Sequence, residues 1–278
     1  MIRKPYVAGS FYPRQKASLE KMVFSMLSDA GEQEWVSKGT NAFITPHAGI
    51  SYSGKTAAFT YAAIASRLNK KDADTIIIIG PNHTGIGNEI SLSEATWETP
   101  MGKFDTDLDM VEEIQRYDDK ISIDEDAHRM EHSIEVQLPF LSAVAPKKSL
   151  ICICMGIQSY YNSKLIAEAV LHSAEKNNRE AITIASSDLN HYEPAPVAYM
   201  RDKPLIRAIK AADPDGFYRS VEESGNSACG YGPIASAMLI SKSLGAKKGM
   251  VLNYSNSGNS STENDHGVVS YISAAFTD

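Results

Sequence analysis

The chain has 278 residues, 43% of them hydrophobic, and a formal net charge of −7. This length can bury a sizeable core, and because no run of Lys or Arg forms a basic stripe, nucleic-acid binding through phosphate contacts is not expected. No apolar stretch of membrane-spanning length and no signal peptide is evident, and three cysteines make no disulfide framework, so we expect a soluble cytoplasmic protein without membrane contact.

Strand-like and helix-like patterns alternate along the chain. The apolar runs that predict strands are 42–45, 75–79, 150–157, 181–185, 250–254 and 268–276. The runs with helical spacing are 18–29, 54–68, 107–117, 134–144, 163–176, 203–212, 214–223 and 230–244. This alternation predicts an α/β fold in which helices flank a mostly parallel or mixed central sheet. No linker interrupts it, so we predict one domain over residues 1–278, with the Ser- and Asn-rich stretch 255–264 as a mobile loop.

Three of the predicted strands each run into a turn that carries a histidine. The runs are 42–47 (AFITPH), 75–83 (TIIIIGPNH) and 181–191 (AITIASSDLNH). In an open α/β sheet, the carboxyl ends of the strands deliver ligands and catalysts to one crevice. Neutral imidazole is the commonest metal ligand, so the pattern predicts a metal site on an α/β scaffold.

The first two of these histidines differ in how clearly their surroundings indicate function. His47 follows Pro46 and precedes Gly49 and Gly54, which we expect to form turns before the next helix. It is either a ligand or general base, or a capping or packing residue. His83 is the clearer candidate, because a buried strand opens directly into its Gly-Pro-Asn turn. The glycine spacing there matches neither a Walker loop nor a dinucleotide fingerprint.

Asp188 and His191 lie three residues apart and can share one side of a turn. A carboxylate near an imidazole can orient it and raise its basicity, so general acid–base work is as plausible as metal ligation. The neighbouring Ser186 and Ser187 also permit a Ser-His-Asp triad. Neither serine, however, stands in the Gly-x-Ser-x-Gly elbow of such hydrolases.

Cys229 directly precedes a predicted helix, in the sequence ACGYGP at 228–233. A helix N-terminus lowers the pKa of a thiol and favours the thiolate that ligates metals or attacks carbon, so we favour function over simple packing. Cys152 and Cys154 alternate on one predicted strand, and we interpret them as core residues rather than as a metal-binding pair.

His132 and Glu135 are one helical turn apart. One prediction is that their side chains stand behind the metal ligands and hydrogen-bond those ligands or the substrate. The alternative is that they mark the start of a helix that Ser133 caps. Weaker signals come from the remaining histidines, His128, His172 and His266.

Six motifs, in this order, resemble those of the Memo family, the "mediator of cell motility" proteins. They are 7–13 (VAGSFYP), 46–54 (PHAGISYSG), 80–83 (GPNH), 131–140 (EHSIEVQLPF), 187–191 (SDLNH) and the pair at 229–230 (CG). The resemblance extends from the first ten residues nearly to the end. Prokaryotic relatives are named protein B of an AmmeMemoRadiSam system, which implies AMMECR-type and radical-SAM proteins as partners, beside an unidentified small molecule.

The resemblance implies an α/β fold like that of the class III extradiol dioxygenases, which hold non-haem Fe(II) with two histidines and one carboxylate. Carried over by motif, the metal ligands are His47, His83 and Cys229. The catalytic residues implied in the same way are His191 as the acid or base, with Asp188 and His132 nearby.

A thiol thus stands where the dioxygenases use a carboxylate. Thiolate suits copper or zinc as well as iron, so we expect Fe(II), with Cu or Zn as alternatives. The departure argues against ring cleavage and leaves open a mononuclear redox enzyme of unsettled reaction, or a non-catalytic metal-binding or partner-binding protein that keeps the pocket of a former enzyme. A third hypothesis, a hydrolase using Cys229 or Ser187 with His191, requires nucleophile and base within hydrogen-bond reach.

Overall fold

The protein folds around a mixed β-sheet with helices on its faces, which confirms the predicted α/β class. A computed structural model describes residues 1–259 and 267–278. The strands are β1 (Ile2–Arg3), β2 (Ala42–Thr45), β3 (Thr75–Pro81), β4 (Ile90–Ser93), β5 (Thr96–Thr99), β6 (Gly102–Phe104), β7 (Ile121–Ile123), β8 (Ser149–Met155), β9 (Ala181–Ser186), β10 (His191–Glu193), β11 (Lys248–Asn256) and β12 (Val268–Thr277). The helices are α1 (Lys16–Ala30), α2 (Ile50–Lys70), α3 (Leu108–Tyr117), α4 (Glu125–Arg129), α5 (Leu138–Val144), α6 (Tyr160–Lys176), α7 (Ala195–Lys210), α8 (Pro214–Ser224) and α9 (Tyr231–Ser243).

The larger sheet has the strand order β10-β12-β2-β9-β3-β8-β4-β7, with β11 paired to β12. At its centre β2, β9, β3 and β8 are parallel, whereas β12 runs antiparallel to β2 and β4 antiparallel to β8. Thr45 pairs with Ser186, so β2 and β9 end level with each other. Because parallel strands end at the same edge, the turns that follow β2, β9 and β3 meet there. A second sheet consists of β1, β5 and β6.

The central strands are apolar along their length because both of their faces are covered. Every residue of β3 is buried, and β8 is buried from Leu150 onward. Cys152 and Cys154 of β8 lie in this interior, 1% and 0% exposed. Their interpretation as core residues is therefore confirmed.

Helix α2 begins at Ile50, so the prediction that Gly54 forms a turn before the helix is wrong. Gly54 lies inside the first turns of α2, where helix α1 packs closely. A Cβ atom at Gly54 would lie 2.7 Å from Met26 Sδ of α1 and 2.7 Å from Ile50 Cγ2. Glycine is unfavourable within a helix, and here the close helix–helix packing offsets that cost.

Three further regions depart from the sequence patterns. Strands β4 to β7 have three or four residues each, too few to show a periodicity. Helix α7 begins at Ala195 rather than at 203 and contains Pro204, a residue type that disfavours helical backbone at the residue before it. The predicted helix at 134–144 is divided into a 3₁₀ turn at Glu135–Gln137 and helix α5.

The predicted loop at 255–264 overlaps structured residues at its beginning. Strand β11 continues to Asn256, and a 3₁₀ turn follows at Ser257–Asn259. Residues 260–264 and His266 lie outside the described residues. Within the described ranges, 1–259 and 267–278, none of the helices is long and apolar enough to cross a membrane.

Candidate metal centre

The candidate site lies at the carboxyl edge of the three adjacent parallel strands β2, β9 and β3. His47 lies in the turn after β2, His83 in the turn after β3, and Asp188 in the turn after β9. Cys229 approaches from elsewhere, because it lies in the connection between α8 and α9. The predicted convergence of the strand-end histidines is therefore observed for His47 and His83.

His47 is buried, and a chain of hydrogen bonds determines which of its ring nitrogens carries the proton. Its Nδ1 is 2.9 Å from Ser186 Oγ. That hydroxyl donates its only proton to the carbonyl oxygen of Ser133 (2.7 Å) and accepts from Gln137 Nε2 (2.8 Å). The hydroxyl must therefore accept from His47 Nδ1–H, which assigns the lone pair to Nε2. This Nε2 faces Cys229 Sγ at 3.1 Å.

His83 is oriented by Glu131, a residue that the sequence analysis did not single out. The buried Glu131 carboxylate is 2.9 Å from His83 Nδ1, and it also accepts the backbone N–H groups of His83, His132 and Ser133. Burial alone would raise the pKa of Glu131, but the hydrogen bond and charge of His83 outweigh it, with help from His132 and Ser133, and lower the pKa to about 2. The ionised carboxylate leaves His83 Nε2 as the free nitrogen.

The ring of His132 completes a cluster of three imidazoles. It stacks on the ring of His83 with centroids 4.5 Å apart and meets His47 edge-on at 5.4 Å. The ring of Phe11, in the N-terminal segment, is tilted against it with centroids 4.6 Å apart. Burial lowers the pKa of His132 to about 4, against the opposing charge of Glu131. His132 is therefore neutral at pH 7.

Cys229 completes a group of potential metal ligands. One ligand atom each of His47, His83 and Cys229 lies within 4.8 Å of the other two. Burial raises the pKa of the Cys229 thiol, and the nearby Asp188 carboxylate raises it further. The expected lowering by the N-terminus of α9 is outweighed, because burial disfavours the charged thiolate.

Asp188 occupies the site, but its carboxylate contacts the backbone rather than the imidazole of His191. One oxygen accepts the N–H groups of His47 (2.9 Å) and Ala48 (3.4 Å). Burial raises the pKa of Asp188 to about 7, although these hydrogen bonds oppose the shift. The structure thus gives Asp188 a role in holding the turn that carries His47.

His191 lies at the start of β10, and Ser227 holds both its backbone N–H and its imidazole ring. Its backbone N–H donates to Ser227 Oγ (2.8 Å), and its Nδ1 is 3.1 Å from the Ser227 carbonyl oxygen. Since a carbonyl only accepts, Nδ1 carries the proton and Nε2 is free. Burial lowers the pKa of His191, and the charge of His83 contributes in the same direction.

The hydrolase interpretation finds no support in the described part of the chain. Ser187 Oγ donates to the Asp188 carbonyl oxygen and accepts the backbone N–H of Gly230. The hydrogen-bonding partner of the Cys229 thiol on the imidazole side is His47, not His191. Neither predicted nucleophile therefore pairs with the predicted base.

Neither Glu135 nor Ser133 has the role predicted for it beside His132. Glu135 is engaged by the N-terminal segment, through Arg3, Tyr12 Oη and the backbone N–H groups of residues 6 and 7. Ser133 does not cap a helix, because its hydroxyl donates to the Pro81 carbonyl oxygen at 2.9 Å. The sequence motif around His132 thus anchors both the site and the N-terminus.

A second cluster, His83, Glu131 and His132, also has ligand atoms within 4.8 Å of one another. The Glu131 carboxylate, however, is already taken up by the imidazole and three backbone N–H groups. We therefore interpret this cluster as the hydrogen-bond network that orients His83.

Known proteins and a family model are similar to this chain over nearly its whole length. The family model described as "Memo-like protein" matches residues 3–275. A MEMO1 family protein of Nitrosopumilus maritimus is 41% identical over 263 residues, covering 93% of this chain and 94% of that protein. Another, of Sulfolobus acidocaldarius, is 38% identical and covers 100% of both chains. A third, of Methanocaldococcus jannaschii, is 37% identical and covers 98% of both.

Proposed function

The chain belongs to the Memo family, and we propose that it is a metal-binding protein whose mononuclear site consists of His47, His83 and Cys229. The observation that carries the proposal is the approach of one ligand atom from each residue to within 4.8 Å of the others. Their sequence separation makes this approach a product of the fold.

The protonation state of the histidines fits the binding of a metal ion. Ser186 and Glu131 engage the Nδ1 atoms of His47 and His83, so each Nε2 keeps its lone pair. Hydrogen bonds of this kind to the second ring nitrogen fix the tautomer and raise the basicity of metal-ligating histidines. The half-buried Cys229 thiol would release its proton on binding, as thiol ligands do.

Fe(II) is the ion we propose first, with copper and zinc as alternatives. Two imidazoles and one anionic ligand suit non-haem iron, while the thiolate also suits the softer metals. A bound iron or copper ion would supply redox chemistry at this edge of the sheet. The support for iron is the donor set together with the family resemblance.

His132 and His191 are the residues proposed to move protons. His132 is held neutral by burial, and His191 has Nδ1 fixed on the Ser227 carbonyl, so its Nε2 is free to accept. Asp188 contributes by holding the backbone of His47. We assign the site to a redox reaction of a small molecule and not to ring cleavage, since a thiol replaces the carboxylate of the dioxygenases.

A second candidate is a non-catalytic protein that binds metal, or partner proteins of the AMMECR and radical-SAM types, through the same pocket. One observation favours it. The imidazole of His191 is bonded to a backbone carbonyl and not to a carboxylate, so it lacks the group that would raise its basicity. Two experiments with the metal-loaded protein separate the candidates. Pull-down of co-encoded proteins would favour the binding protein, whereas turnover of compounds in a small-molecule panel would favour the enzyme.

The test is metal analysis of untagged protein beside a Cys229→Ser variant. We expect about one equivalent of metal in the wild type and a loss in the variant, with unchanged circular dichroism. Protein that contains no metal and takes up none anaerobically from Fe(II) or Cu(I) would refute the metal site.

A further inference from the structure

Cys229 is the one proposed ligand that does not follow a strand of the sheet, and something must hold it in place. It belongs to the connection between α8 and α9, which begins at Gly225 and ends at Gly230. We infer that Gln158 is the positioning residue that sets Cys229 against His47. The inference rests on the proposed metal site, since it assigns a role relative to one of its ligands.

The side-chain amide of Gln158 bridges two backbone groups around the thiol. Its Nε2 donates to the carbonyl oxygen of Cys229 at 2.7 Å. Its Oε1 accepts the N–H of Gly232 at 2.9 Å. A carbonyl requires a donor and an N–H requires an acceptor, so the orientation of the amide is determined and no other side chain of this size supplies both.

Close packing reinforces this bridge. A Cβ atom at Gly232 would lie 2.9 Å from Gln158 Cβ and 3.0 Å from Met155 Cε, so the first turn of α9 packs against the end of β8 and the loop that follows it. On the other side, the N–H of Gly230 donates to Ser187 Oγ at 2.9 Å, beyond the end of β9. The turn that carries Cys229 is thus attached to the ends of two central strands.

Gln158 acts through Cys229, since its amide contacts the backbone of that residue and not its sulfur. Without the amide, the Cys229 carbonyl and the Gly232 N–H lose their partners together. The connection then keeps its hydrogen bonds at Asn226, Ser227 and Gly230. The carbonyl of Cys229 itself is no longer held, so the 3.1 Å contact between Cys229 Sγ and His47 Nε2 is less firmly imposed.

Two substitutions separate the parts of the bridge. Gln158→Glu keeps the size and the acceptor but loses the donor, whereas Gln158→Met keeps the length and loses both. Tyr218→Phe is the matched control. Tyr218 Oη donates to the backbone carbonyl of Gln158 at 2.8 Å, so this substitution removes a hydrogen bond at the same residue without touching Cys229.

The first measurement needs no metal. Iodoacetamide labelling of metal-free protein, followed by mass spectrometry, reports how firmly Cys229 is held. We expect both Gln158 variants to label several times faster at Cys229 than the wild type and the Tyr218→Phe control. Cys152 and Cys154, which are buried in β8, must stay unlabelled. If they react as fast as Cys229, the faster labelling is due to general unfolding and the positioning role is refuted.

The second measurement is titration with Co(II), using the thiolate-to-cobalt absorption band. We expect both Gln158 variants to bind roughly tenfold more weakly, the lower end of what such supporting residues contribute, with a weaker band per bound cobalt. Variants that label and bind like Tyr218→Phe would overturn the inference. A wild type that takes up no Co(II) would instead refute the proposed metal site, while the labelling comparison would still decide the role of Gln158.

Discussion

The carboxylate of Glu131 accepts two hydrogen bonds from His83, one from the ring Nδ1 at 2.9 Å and one from the backbone N–H at 2.5 Å. One buried anion therefore fixes both the position and the tautomer of this imidazole. Glu131 itself is held by the N–H groups of His132 and Ser133, and Arg3 binds its carbonyl oxygen. The N-terminal segment and the candidate site are in this way parts of one network.

Replacing Glu131 by Gln tests this relationship. The amide keeps the shape but loses the charge and places a donor where N–H groups converge. We expect metal affinity to fall by about tenfold and the free energy of unfolding by about 2 kcal/mol. Glu135→Gln is the matched control, because that carboxylate serves Arg3 and the N-terminal segment. Chelator competition should show a loss for Glu131→Gln alone, and equal losses in both variants would contradict the assigned role.

Removal of either histidine ligand should abolish metal binding without unfolding the chain. We expect His47→Ala and His83→Ala to lose the bound metal, while His172→Ala, at an exposed position on α6, keeps it. Elemental analysis gives the metal content, and circular dichroism reports the fold. Full metal occupancy in both ligand variants would show that the assignment of these residues is wrong.

Stability at acidic pH should depend on His128, which lies outside the site. Burial lowers the pKa of His128 to about 4, below the usual value near 6.5. At pH values between these two pKa values, the unfolded chain binds up to one proton more than the folded chain. The free energy of unfolding therefore decreases as pH falls, by up to about 3 kcal/mol in total. His128→Gln should make this decrease shallower, whereas His172→Gln should not. Urea denaturation between pH 7 and pH 4 measures it, and identical slopes in the two variants would count against the prediction.

The close packing of α1 on α2 predicts the effect of a methyl group at Gly54. Alanine favours a helix by about 1 kcal/mol over glycine. A Cβ atom here would meet Met26 and Ile50 at 2.7 Å, however, so we expect Gly54→Ala to destabilise the protein by about 1–2 kcal/mol. Lys55→Ala at the neighbouring exposed position should be nearly neutral. Thermal unfolding of the two variants checks the sign, and a stabilised Gly54→Ala would show that the helices move apart readily.

The strands that position the site were predictable from the sequence. The runs at 42–45, 75–79 and 181–185 became β2, β3 and β9 with the same first residues, because continuous apolar sequence is a local signal of a strand covered on both faces. The short strands β4 to β7 were not predictable, since their pairing depends on partners distant in the chain.

The roles of the side chains at the site followed the sequence less closely. Asp188 was expected beside His191, yet its carboxylate holds the backbone of His47, which is 141 residues away in the chain. Glu131 and Gln158 were not singled out, and Ser186 was considered only as a member of a Ser-His-Asp triad, although each of the three fixes a candidate ligand. The proximity of Glu131 to His132 in the motif was the only signal that could have indicated one of them.

The sequence by itself determined the α/β class, the family and the residues that can ligate a metal, because these depend on local composition and on motifs. The tertiary structure alone decided that β2, β9 and β3 are neighbours and that Cys229 reaches His47. It also decided which hydrogen bonds set the tautomers of the two imidazoles. The physical reason is that such bonds join residues 48 to 182 positions apart, and only the order of the strands together with the packing of the connecting segments brings those residues together.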